Sequence, residues 1–213
     1  MAPTKFEIPE IDTNPFKMAA VGNLQLLQTL VEPAASAEGK APTPPLNVNA
    51  KDPYGCTPLI WAARNGYVEV MDYLSRLPVV ARLIELGANV EVLDDAGNTP
   101  LHFAASRGIL NPITLLLSAG AKVNCANKQE VTPLMKAVHA GHTTAGEKLI
   151  DNEANVNHAN AEGNTALHLA ARGGFAPMVR VLLEARATTA TRNKLGKTAK
   201  ELASSGDIAK LID

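Results

Sequence analysis

Five histidines and two cysteines are the residues of this chain with the widest chemical reach. A histidine near neutral pH serves as general base or metal ligand, and a cysteine thiolate as nucleophile. His139 and His142 stand in the run H-A-G-H, but that spacing lacks the further ligands a metal site needs. No serine occupies a G-x-S-x-G elbow, and no glycine-rich loop leads into a G-K-[ST] phosphate cradle. Neither Cys56 nor Cys125 has a base that its surroundings in the sequence would supply. These residues predict no enzyme, no cofactor and no metal.

Bulk composition narrows the partners. Apolar residues make up 46% of the 213 and charged residues 19%, enough to bury a core and too apolar for a disordered polymer. Twenty Lys and Arg against 21 Asp and Glu leave no net field to recruit nucleic acid or an anionic membrane. Residues 1–16 lack the basic start and apolar run of a signal peptide, and no stretch reaches the roughly 20 apolar residues that span a bilayer. Two cysteines are too few for a disulfide framework and suit a reducing compartment. The expectation is a soluble cytoplasmic protein, with the nucleus open.

The elements that position any site come from a repeat. Tetrapeptides begin at Thr57 (TPLI), Thr99 (TPLH), Thr132 (TPLM), Thr165 (TALH) and Thr198 (TAKE), with a first gap of 42 residues and three gaps of 33. Each reads as a helix start, because a threonine hydroxyl caps free N–H groups and proline at the first helical position has no N–H to waste. Small pairs such as Ala62–Ala63, Ala104–Ala105 and Ala170–Ala171 let a neighbouring helix approach, and Gly66, Gly108, Gly141 and Gly174 end the first helix. A second helix follows, apolar through Ile113, Leu115, Leu116 and Leu117 in one copy and Val179, Val181, Leu182 and Leu183 in another. Short extended stretches, Gly87-Ala-Asn-Val and Gly120-Ala-Lys-Val-Asn among them, lead to turns such as Asp94-Asp-Ala-Gly97 and read as β-hairpins between layers.

This set of TPLH, paired alanine, glycine and GA-x-VN elements resembles the ankyrin-repeat family over about residues 17–213. The resemblance implies an all-α solenoid of helix-turn-helix units joined by β-hairpin loops. Its parts are a tail (1–16), an N-terminal cap (17–48), four full repeats (49–90, 91–123, 124–156, 157–189) and a C-terminal cap (190–213). It also implies that His102 and His168 are structural hydrogen-bonding residues, that Trp61 packs in the core, and that Asn49, Asn124 and Asn157 hydrogen-bond the hairpins. In that family such an asparagine is also a substrate for an oxygen-dependent hydroxylase. A regular stack puts the two cysteines near 20 Å apart, beyond the ~7 Å Cα separation a disulfide spans.

By the same resemblance a protein partner lies on the concave surface of hairpin tips and first helices. The tips contribute Tyr54, Asp95, Asn98, Lys128, Gln129, Glu162, Asn164 and Lys194, and the helices Arg64, Asn65, Arg107, His139 and Arg172. Arg64, His139 and Arg172 share one repeat position, with Arg107 one place along, so a basic stripe is expected and an acidic segment suits it. Tyr54 is the aromatic anchor. The function expected is a non-catalytic adaptor, scaffold or assembly factor, monomeric outside its complex. The alternative is a permanent subunit docked through its tail and insertions.

Departures from the repeat carry their own expectations. The proline-rich stretch 36–46 reads as an irregular loop, and nine extra residues near 71–79 leave two segments competing for one second-helix place, separated by Pro78. In the repeat at 124–156, Glu130 and Glu153 stand where glycine is usual, and Gly146 lies inside the second helix at a cost of about 1 kcal/mol against alanine. That layer should be the softest of the stack. Hydrogen exchange checks this, with faster exchange expected for amides of 124–156 than for those of 91–123, and equal protection counting against it.

Overall fold

In the computed structural model, which describes residues 47–65 and 79–212, the repeated tetrapeptides start helices as their capping chemistry requires. In chain order the elements are α1 (Pro58–Asn65), α2 (Val79–Glu85), α3 (Pro100–Arg107), α4 (Leu110–Ser118), α5 (Pro133–His139), α6 (Thr143–Ile150), α7 (Ala166–Gly173), α8 (Ala176–Glu184), a 3-10 turn (Lys200–Leu202) and α9 (Gly206–Leu211). They pair into successive layers. One row is formed by α1, α3, α5, α7 and the 3-10 turn, the other by α2, α4, α6, α8 and α9, and each element packs on the next in its row. Residues 1–46, 66–78 and 213 lie outside the described part, so the tail, the N-terminal cap up to residue 46, the 36–46 loop, Gly66 and all but the last residue of the insertion do too. Of the two segments competing for one place, Val79–Glu85 holds it, with Val80 and Leu83 buried.

One main apolar core runs the length of the described stack, with a small second cluster of Cys56, Ile60 and Val92 at the first layer. Leu59, Leu101, Leu134 and Leu167, one per first helix, are fully buried, as are Leu83, Ile113, Leu116, Leu149, Met178 and Leu182 of the second row. Burying one such side chain is worth about 1.5–3 kcal/mol, and no isolated layer has the surface to do it. The alanine pairs are buried between first helices, which explains their size. Two described glycines that end first helices, Gly108 and Gly141, answer two demands at once. Gly108 has φ +70°, and a Cβ there would stand 2.5 Å from the ring of His142 in the next layer; Gly141 repeats the arrangement against Phe175, with φ +76°.

The hairpin expectation needs correction. Among the described residues there is no β-strand, only one isolated antiparallel bridge between Ala159 and Thr165. Each connection closes instead as a tight turn, such as Asp94–Asn98, where Gly97 N–H donates to Asp94 O and Asp94 N–H to Asn98 O, both at 3.0 Å. The turn amides are taken by a side chain and by the neighbouring layer, so no ladder extends along the arms.

Polar seams hold the layers in register. Thr99 N–H donates to His102 Nδ1 at 3.1 Å, which leaves the proton on Nε2 to donate to Val131 O in the next layer at 2.9 Å. His168 does the same with Thr165 and Lys197 O, at 3.2 and 3.1 Å. In the first layer Ile60 stands at the histidine position and packs with Cys56 and Val92 instead. In the third, Met135 stands there and Val131 replaces the turn asparagine, so that seam has neither histidine bridge nor asparagine pair. His158 partly compensates, donating to Glu130 O at 2.8 Å. Glu130 and Glu153 keep the left-handed φ of the missing glycines, +58° and +66°, which costs side-chain residues energy. Gly146, expected as a defect, has a packing role: a Cβ there would lie 2.5 Å from Met178 Cε.

Burial pushes His102 down to about 4 and lowers His168 as well. Both rings are neutral in the fold, whereas the unfolded chain takes up a proton near pH 6.5. Stability therefore falls as pH drops from about 6.5 to about 4, by on the order of 2–3 kcal/mol for His102. Denaturant unfolding at several pH values checks this. His102→Gln should flatten the profile in that window while lowering stability at neutral pH, and an unchanged slope would count against the assignment.

Candidate interaction surface

Five turns project from the stack, and one device shapes them all. A carboxylate or amide oxygen on the first turn residue accepts the amides two and four residues on. Asp52 takes Tyr54 and Cys56, Asp94 takes Ala96 and Asn98, Asn127 takes Gln129 and Val131, Asn160 takes Glu162 and Asn164, and Asn193 takes Leu195 and Lys197, all within 3.0 Å. Adjacent tips are then joined through the backbone: Asp95 N–H to Tyr54 O, Lys128 N–H to Ala96 O, Ala161 N–H to Gln129 O and Lys194 N–H to Glu162 O, at 3.0–3.2 Å. The tips form one braced row with outward side chains, of which Glu162 also accepts from Asn164 Nδ2 at 2.8 Å.

Ten of the thirteen residues expected at the surface are exposed: Tyr54, Asp95, Lys128, Gln129, Glu162 and Lys194 on the tips, and Arg64, Arg107, His139 and Arg172 on the first helices. The side chain of Asn65 lies outside the described part. Asn98 and Asn164 are buried, and their amides join layers, accepting from Asn127 Nδ2 and Asn193 Nδ2 at 2.8 Å each. Tyr54, 71% exposed, stands at one end of the tip row and Leu195, 82% exposed, at the other.

Two of the arginines come together. Trp61, Arg64, Phe103, Ser106 and Arg107 line an open groove of about 470 Å³ between α1 and α3. The Arg64 guanidinium lies over both rings, 5.1 Å from the Trp61 centroid and 5.8 Å from that of Phe103. The indole is itself fixed, donating from Nε1 to Asp52 Oδ2 at 2.8 Å. Both arginines sit in the last turn of their helices, where the helix dipole favours a cation. Among the described residues no carboxylate pairs with Arg64 or Arg107. Trp61 thus belongs to the core by its packing and to the groove by its exposed face. The sequence reading missed Phe103 and Lys136 as surface residues. Their signal was position: Trp61, Phe103, Lys136 and Leu169 each stand three places before Arg64, Ser106, His139 and Arg172, hence on the same helix face.

The nucleophile candidates are quiet. Burial and the nearby Asp52 and Asp94 charges push Cys56 up to about 11, and burial also raises Cys125. Both are free thiols, and at neutral pH both are protonated. His142 packs over Gly108, while His139 is exposed. Among the described residues no cluster of three or more His, Cys, Asp or Glu could hold a metal, and no helix is long and apolar enough to cross a membrane.

Comparison with known proteins agrees with this architecture. A family model for ankyrin repeats in three copies matches residues 75–160, 113–193 and 134–212, and a model for one ankyrin repeat matches residues 54–95. Over 63 residues, 30% of the chain, it is 38% identical to Palmitoyltransferase AKR1 of Saccharomyces cerevisiae. That stretch covers 7% of the yeast protein, and the acyl transfer in its name is said of that protein alone. The family matches together reach from residue 54 to 212, well over half of the sequence, and the chain belongs to the ankyrin-repeat family.

Proposed function

We propose that this protein is a non-catalytic adaptor, scaffold or assembly factor of the cytoplasm or nucleus, which binds an acidic segment of a partner protein along its concave surface. The observation that supports this is the line of cations with no carboxylate partner among the described residues: Arg64, Arg107, Lys136 and Arg172, one per layer, with His139 exposed on the same helix as Lys136. A solvated charge of this kind costs nothing in the free protein and gains charge-assisted hydrogen bonds when a carboxylate arrives. The braced tips add Lys128 and Lys194 along one edge and Tyr54 as an aromatic anchor. Because tips and first helices are tied layer to layer, binding orders little of the protein, and preorganisation favours affinity. Ankyrin repeats serve many pathways, so the surface, and not the fold, selects the partner.

The test is affinity purification from the source cell beside a Tyr54→Ala, Arg64→Glu, Arg172→Glu variant whose helical content and unfolding transition match wild type. A partner retained by the wild type should be lost from the variant, its affinity falling at least ten-fold for two charge reversals. Equal capture by both would move the interface off the concave face.

A further inference from the structure

We propose that the groove between α1 and α3 seats a phosphorylated side chain carried by the bound segment. This rests on the concave surface being the partner-binding face. Along the rest of that face the cations are spread over successive layers, a spacing that suits single carboxylates. Here Arg64, Arg107 and Ser106 line one groove, with no carboxylate on either arginine among the described residues. A carboxylate fills one guanidinium fork and leaves the second cation unmatched. A phosphomonoester carries about −1.5 to −2 charge at neutral pH and three acceptor oxygens, enough for both forks and a hydroxyl.

The presentation of Arg64 argues the same way. Its guanidinium carbon lies over the rings of Trp61 and Phe103, 5.1 and 5.8 Å from their centroids, so the group is already held at the groove and has less rotamer freedom to lose on binding. Asp52, the acid next to the stack, is occupied: Oδ1 accepts the amides of Tyr54 and Cys56, and Oδ2 the indole N–H of Trp61. The groove is open, so a side chain on an extended segment reaches it while the segment continues over the tips and the later cations.

The chain has a single tryptophan, and it lines this groove, so its fluorescence reports the site directly. The full chain would be titrated at low ionic strength with two capped peptides, Gly-Gly-phosphoserine-Gly-Gly and Gly-Gly-Glu-Gly-Gly, alongside Arg107→Ala and Arg64→Lys variants with wild-type unfolding transitions. Isothermal calorimetry on the same samples gives affinities where a substitution changes the emission itself. The phosphopeptide should saturate and bind at least ten-fold tighter than the glutamate peptide, and each variant should lose about ten-fold, Arg64→Lys because charge without the planar fork is not enough. Equal binding of the two peptides, unchanged binding in the variants, or no saturation at millimolar phosphopeptide would each overturn the proposal. None of these would touch the acidic-segment reading, which fails separately if the partner is held equally by wild type and the charge-reversed variant.

Discussion

Every layer of this protein carries an apolar second helix that it cannot cover by itself, and that dependence on the neighbour governs the rest of the structure. It explains the buried alanine pairs, which set the distance of approach, and the terminating glycines, where a side chain of the next layer occupies the space of a missing Cβ. It also explains the buried polar groups. An unpaired imidazole or amide between layers would cost its full desolvation, so His102, His168, Asn98 and Asn164 are tolerated because each has a partner at a fixed place in the next layer or turn. Such partners exist in one register only, which makes the seams alignment devices as well as contacts.

The seams are not equivalent. Between the second and third layers a histidine bridge and an asparagine pair act together, and between the fourth and last the same two recur. Between the third and fourth both are missing, since Met135 and Val131 occupy those positions, and His158, the tip bond from Ala161 and the Asn124 bonds to Glu153 and Asn155 supply polar contacts there. The aromatic groove spans the first seam, which also lacks both devices because Ile60 and Cys56 stand at those positions, whereas Arg172 and Lys194 lie beyond the third. The cations of the first helices therefore sit on layers joined by seams of unequal constraint.

Much of this was legible in the sequence because periodicity and capping chemistry are local. Thr99, Pro100 and Gly108 announce a helix start and stop without tertiary information, and the 33-residue spacing converts one such helix into a stack. Places where one residue meets two demands were harder. Asn98 and Asn164 stand at tip positions and were expected to face a partner, yet their amides complete seams, a distinction that depends on the residue 29 places on. Trp61 was expected in the core and is there, but its indole also fronts the groove, visible only once Phe103 of the next layer stands beside it. The hairpins failed to become strands because their amides were claimed by Asp and Asn side chains and by neighbouring tips, a competition that composition alone does not decide.

Surface and scaffold come together in one consequence: most outward residues of the tips and first helices make few structural contacts, Glu162 on Asn164 and Arg64 on Trp61 and Phe103 excepted, while those beneath them are fully committed. A site-specific photo-cross-linker tests this division most directly. Placed at Ser106 in the groove, it should capture the same partner that co-purifies with the intact protein, and placed at Thr114 on the exposed side of α4, it should not. Capture from Thr114 with none from Ser106 would contradict the account and put the working surface on the second row of helices.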